Sequence, residues 1–207
     1  MALVCDGGRD RRLLIIPALF DEANRMRRFC VQLMRELDRH GIDSILPDLP
    51  GTHDSLEPLT RQMLATWTDA VASTAAQFST ERVLAIRAGA ALLGAHRGWT
   101  YAPISGATAL RQLLRARLVA SREAGLGEAM EALTDEAHRS GIVLAGYELG
   151  PLMFAALATH EWVPPDNVRT IHQHELGGAG LWLRAEPGED EEQASALALL
   201  IAREWAE

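Results

Sequence analysis

Apolar and polar positions along this chain switch between two periods. After the basic stretch 9–12, the unbroken apolar run at 13–17 reads as a strand buried on both faces. The next apolar positions, Met26, Phe29, Cys30, Leu33, Met34 and Leu37, fall at i, i+3, i+4, i+7, i+8 and i+11, which is one stripe along one helix. Gly41 ends that helix, and 42–46 forms a second strand closed by the turn-forming residues 47–51. Strand, helix, strand is a right-handed crossover.

The unit then repeats. A helix is predicted over 58–78, with Leu59, Met63, Trp67, Val71 and Ala75 on its apolar face, then a strand at 82–86 and a small-residue helix from about Gly89. Further on, the pattern predicts a strand at 99–104, helices at 108–124 and 128–137, a strand at 141–145, and a helix that Pro151 suits as a first-turn residue. Strands at 168–174 and 181–185 and a closing helix at 190–205 complete the chain. Such alternation predicts three layers, a mostly parallel central sheet covered by helices on both faces. The closing helix is Ala/Leu-rich, which suits either packing on the sheet or a dimer surface.

Composition narrows the class. At 207 residues the chain fits a single domain, 1–207, around one sheet. A net charge of −8 with no clustered basic face argues against a nucleic-acid partner. Two cysteines, Cys5 and Cys30, in a chain this long suit a reducing compartment, so a cytoplasmic protein is expected. The apolar run before Asp21 and Glu22 is too short for a signal segment, and no stretch approaches the roughly 20 apolar residues that span a bilayer.

In open α/β sheets, ligands bind beyond the carboxyl ends of the strands. The loop after the first strand, 17–28, is polar there, with Glu22, Asn24, Arg25 and Arg28; Asp21 or Asn24 capping a helix is the plainer reading. The turn after the second strand brings Asp48, His53 and Ser55, where His53 is either a loop histidine or a base beside the crevice. The third end, 83–91, has the strand, sharp turn and small-residue run of a G-x-S-x-G nucleophile elbow. Ala85 stands for the first glycine, Arg87 for the serine, and Gly89 matches the last glycine. A guanidinium stays protonated and has no lone pair with which to attack a carbonyl, so serine-type hydrolysis from this elbow is excluded. Arg87 is left to attract an anion, helped by neighbouring backbone N–H groups such as that of Ala88, or to pair with Asp48 or Glu22.

At the fourth end, His172 and His174 alternate on a predicted strand, half of a metal site that lacks a third ligand, so no metal and no cofactor are expected. The stretch 187–192, where the base histidine of a triad belongs, holds none.

The run Phe20-Asp-Glu22-Ala-Asn24-Arg-Met-Arg27-Arg28 resembles the F-x-E-x-N-x-x-R-R signature of the exosortase A system-associated hydrolases, a bacterial branch of the α/β-hydrolase superfamily. The elbow run 86–92 is similar to the L-R-x-G-A-x-L run of the second of its two hydrolase groups. Further similarity lies in Asp48-Leu-Pro-Gly51 before Asp54-Ser55, in Pro103-Ile-Ser105-Gly106 ahead of a helix ending at Arg117-Leu118, and in Gly146-Tyr147, so that it covers about 13–160. The resemblance implies a cytoplasmic protein encoded alongside exopolysaccharide production and the sorting of proteins with a C-terminal Pro-Glu-Pro anchor, and it implies no established substrate. His53 replaces the usual turn glycine and the lid is minimal, departures that count against esterase or thioesterase activity.

The expectation is therefore an α/β-hydrolase-like pseudoenzyme with no catalytic residue. It would bind an anionic small molecule or acyl group at Arg87, with Phe20, Glu22, Asn24, Asp48, His53 and Ala88 around it. One rival is an active serine hydrolase using Ser55 or Ser105 with His53 as base. The other is a scaffold or regulatory partner without ligand, expected if Arg87 is locked in an ion pair and the crevice is filled by side chains.

Overall fold

Leu13, Leu14, Ile15 and Ile16 are fully buried because their strand lies inside a sheet covered on both faces. The structure, a computed structural model, describes residues 1–205. In chain order its strands are β1 (Ala2–Cys5), β2 (Arg12–Ile16), β3 (Asp43–Pro47), β4 (Arg82–Ile86), β5 (Gly98–Tyr101), β6 (Ile142–Leu144), β7 (Tyr147–Leu149) and β8 (Val168–Ile171). Six of them form one sheet in the order β1-β3-β2-β4-β5-β8. All neighbours in it run parallel except the edge strand β1, which is antiparallel to β3.

Strand alternation divides the core. Leu13, Ile15, Leu84 and Ile86 face α1 (Asp21–Arg39) and α7 (Glu191–Trp205). Leu14, Ile16, Val83 and Ala85 face the other layer, built from α2 (Leu64–Gln77), α3 (Gly106–Glu123), α4 (Met130–Ser140) and α5 (Pro151–Thr159). The predicted stripe of α1 is buried at every position, and Ala194, Leu197, Ala198 and Ile201 of α7 pack beside it, so α7 serves as a sheet-packing helix. No described helix is long and apolar enough to cross a membrane.

Several elements depart from the pattern, each for a local reason. β1 went unpredicted because its four residues leave Leu3 and Val4 exposed and show no clean alternation. The helix expected over 58–78 breaks at Gln62, whose extended backbone (ψ 151°) separates a 3-10 turn at Leu59–Arg61 from α2. The strand expected at 141–145 leaves the main sheet and pairs with β7 as a two-residue hairpin. Ala145 and Gly146 at its tip both take positive φ, 49° and 84°, as a type I′ turn requires. Tyr147, next to the turn of this hairpin, meets Phe20 edge-on with ring centroids 5.5 Å apart.

Near the end of the chain, the strand predicted over 168–174 stops at Ile171. His172 caps the four-residue α6 (Gln173–Leu176), and its ring stacks on that of His174 at 5.5 Å, so the two histidines do not alternate on a strand. The strand predicted at 181–185 is a 3-10 turn, Leu181–Leu183, in which the Leu183 N–H bonds the Gly180 carbonyl and the following Arg184 N–H bonds that of Leu181. β8 is therefore the sheet edge.

Candidate functional site

Register places three loops side by side. Ile16 of β2 pairs with Ala85 of β4, and Ile86 of β4 with Tyr101 of β5, so the chain leaves all three strands at one level. Gly89 fits there because a Cβ would lie 2.2 Å from the Pro17 carbonyl oxygen. The small-residue helix expected from Gly89 is a 3-10 turn, Arg87–Leu92, packed tightly with Ala88 and Ala90 buried. Arg87 at the tip takes φ 54° and Phe20 φ 57°, left-handed values that strain a side-chain-bearing residue.

The Arg87 side chain turns inward and is 6% exposed. Its Nε donates to Glu22 Oε2 and its Nη2 to Glu22 Oε1, both at 3.0 Å, and its Nη1 donates to the Ala102 carbonyl at 2.8 Å. The Trp182 ring covers the guanidinium, with Cζ 4.0 Å from the ring centroid. Trp182 is held by Arg25, whose Nη1 donates to its carbonyl at 2.8 Å while Nη2 bonds Asp21 at 2.7 Å. Of the two pairings open in sequence, Arg87 makes the one with Glu22. Asp48 is instead paired with Arg27 at 2.9 Å.

Asn24 and the backbone around Phe20, each two residues from Glu22, gather with His53 of the turn after β3. They line a cavity of about 160 Å³, walled also by Leu49, Trp67 and Tyr147. Phe20 is buried against Trp67 at 5.7 Å, and Asn24 Nδ2 donates to the Tyr147 hydroxyl at 2.9 Å. Burial, reinforced by Asp21, raises the Tyr147 pKa against the opposing bond from Asn24. Burial and then Arg27 lower that of His53, against the pull of Asp48 and Asp54, so its imidazole is neutral at pH 7. Asp48 comes no nearer to His53 than 3.9 Å.

The two candidate serines have structural bonds. Ser55 Oγ accepts from Gly51 N at 2.9 Å and tightens the turn. Ser105 Oγ accepts from Thr108 N at 3.1 Å as the N-cap of α3. No hydrogen bond links either to His53 among the described residues. Sequence reasoning missed Trp182, because a predicted strand gave no reason to aim its ring at the elbow, and Ala102, whose contribution is a backbone carbonyl.

The sequence matches no family model and no curated protein. Solved structures are similar in shape across nearly the whole chain. A hydrolase from Pseudomonas aeruginosa PA01 aligns over 98% of this chain and 93% of its own at TM-score 0.55 and 13% identity. Alpha/beta hydrolase domain-containing protein 10 from mouse aligns over 99% and 93% at 0.53 and 14% identity. A protein of Agrobacterium vitis S4 aligns over 98% and 91% at 0.51 and 15% identity. At such identities the likeness speaks for the fold alone, and this chain has an α/β-hydrolase-like fold whose elbow holds an arginine.

Proposed function

We propose that this protein is a non-hydrolytic α/β-hydrolase-fold binder that holds a small, uncharged acyl group in the cavity beside Phe20, Asn24, His53 and Tyr147. The observation that carries the reading is the Arg87–Glu22 pair, which fills the nucleophile position with a neutralised, covered side chain. An anion at Arg87 would have to displace Glu22 from two charge-assisted hydrogen bonds. The neighbouring cavity has apolar walls from Leu49, Phe20 and Trp67, with Asn24, the Tyr147 hydroxyl and a neutral His53 as its polar fittings. That chemistry suits a neutral carbonyl better than a carboxylate.

The test has two arms. A fluorophosphonate probe is expected to label nothing, and labelling at Ser55 or Ser105 would instead establish the displaced-nucleophile hydrolase. Titration with butyramide and with butyrate, followed by side-chain amide NMR, is expected to shift Asn24 with butyramide. Preference for butyrate, lost in Arg87→Met, would restore the anion reading.

The two stretches that resemble the exosortase A system-associated hydrolases, 20–28 and 86–92, meet in the Glu22–Arg87 pair. From that resemblance we further propose a cytoplasmic role in a bacterium that makes exopolysaccharide. Deletion of its gene is expected to reduce exopolysaccharide yield, and an unchanged yield removes the association.

A further inference from the structure

We infer that the opposite end of the sheet carries a second site, for a small phosphorylated molecule, centred on Arg82 and Arg97. Arg82 opens β4, Gly98 opens β5 and Val168 opens β8, and a groove of about 590 Å³ runs across these strand starts. Four residues of parallel strand separate it from the elbow, on the order of 13 Å. The site is independent of the reading given for the elbow.

The groove's cations are not equivalent. Arg169 is spent, with Nε 3.1 Å from Glu204 and Nη2 2.8 Å from Glu175. The other Glu204 oxygen accepts from the Trp99 indole N–H at 2.7 Å, so that carboxylate has little left for Arg82. Arg82 lies against the paired rings of Trp99 and Trp205, whose centroids are 5.6 Å apart, with Cζ 5.3 Å from each. It gives one long bond, 3.3 Å, to the Glu204 carbonyl, and its Nε is buried without an acceptor. Arg97 is exposed, and its side chain makes no hydrogen bond or ion pair among the described residues. In a chain of net charge −8, two guanidinium groups thus share one groove with Asp166 as the remaining acid in its lining.

A rigidly held guanidinium presents a planar fork that matches phosphate oxygens, and a second beside it favours a dianion. The Trp99 and Trp205 rings hold Arg82 in place, so little side-chain freedom is lost on binding. Asn167 lines the same groove and offers its side-chain amide as a further donor, while Asp166 opposes an anion and sets a limit on affinity.

Calorimetry with pyrophosphate as the probe tests the site. Binding is expected, with affinity falling as salt rises because the groove is open to water. Arg97→Ala, at an exposed position that leaves the fold intact, is expected to weaken binding at least tenfold. Asp166→Asn is expected to tighten it several-fold, and Asn24→Ala in the other cavity to leave it unchanged. No heat with millimolar pyrophosphate, or equal affinity in Arg97→Ala, overturns the inference. Capture by vesicles of anionic phospholipid without any response to pyrophosphate overturns it as well, in favour of a membrane surface.

Discussion

Glu22 and Arg87, 65 residues apart in sequence, meet in a two-bond ion pair at the point where the start of α1, after β2, and the elbow lie side by side. Their side chains are 10% and 7% exposed, so each charge depends on the other for compensation. Removing one partner of such a pair costs roughly 3–5 kcal/mol, whereas replacing both with apolar groups of similar size is far less costly. Glu22→Gln and Arg87→Met are each expected to lower stability by about that amount in urea unfolding. The double variant is expected to lose much less than the sum, and an additive result would mean that the pair is not coupled.

The elbow also makes a prediction about chemistry. Installing a serine should not create a hydrolase: His172, which follows the last strand β8 and lines one pocket with Arg87, has its ring stacked on His174 at the start of α6, and among the described residues no carboxylate bonds that ring to orient it as a base. A nucleophile without its general base gains little over water. Arg87→Ser combined with Glu22→Gln, which leaves no unpaired charge, is expected to show no turnover of p-nitrophenyl butyrate above background. Burst kinetics in that variant would mean that a base has been overlooked.

How far this site was legible in the sequence depends on the range of the interaction. The stripe from Met26 to Leu37 is a local pattern, and all of it is buried as the period requires. Arg87 at the elbow was equally legible, because a strand, a sharp turn and small residues lie within nine positions. Its partner was one of two carboxylates, and only the register of β2, β4 and β5 selects Glu22 over Asp48. Trp182 and Tyr147 were illegible as site residues. One sits on a turn that carries strand-like residues, and the other on a hairpin whose docking against Phe20 spans more than a hundred residues. The cavity around Asn24 follows from that hairpin, so no spacing in the sequence announces it.

Gly89 is a position at which packing permits no side chain. A Cβ would stand 2.2 Å from the Pro17 carbonyl oxygen and 3.1 Å from that of Ile16, both backbone atoms that cannot rotate away. Overpacking of this kind typically costs about 1–3 kcal/mol, and here it would also push the elbow off β2. Gly89→Ala is expected to fall in or above that range by thermal unfolding. Gly125→Ala, where a Cβ meets nothing within 4 Å but φ is +72°, gives a comparison in which backbone strain alone acts.

Asp43, at the start of β3, gives the fold a defined acid limit. Burial pushes its pKa up, but the backbone N–H groups of Arg9 at 2.8 Å and Gly7 at 2.9 Å and the Arg9 guanidinium at 2.6 Å outweigh burial and hold it at about 2, against an ordinary 3.8. A carboxylate with a depressed folded-state pKa contributes stability that is complete above its unfolded pKa and lost as pH falls through the folded one. The contribution is therefore present at pH 5 and lost between about pH 4 and pH 2, and a shift of this size corresponds to roughly 2 kcal/mol. Asp43→Asn is expected to be less stable at neutral pH because Arg9 loses one of its two carboxylate partners and keeps only Asp38, yet to show a shallower fall in stability across that window. Urea midpoints measured from pH 5 to pH 2 for both proteins check this, and parallel curves would assign the acid limit to other carboxylates.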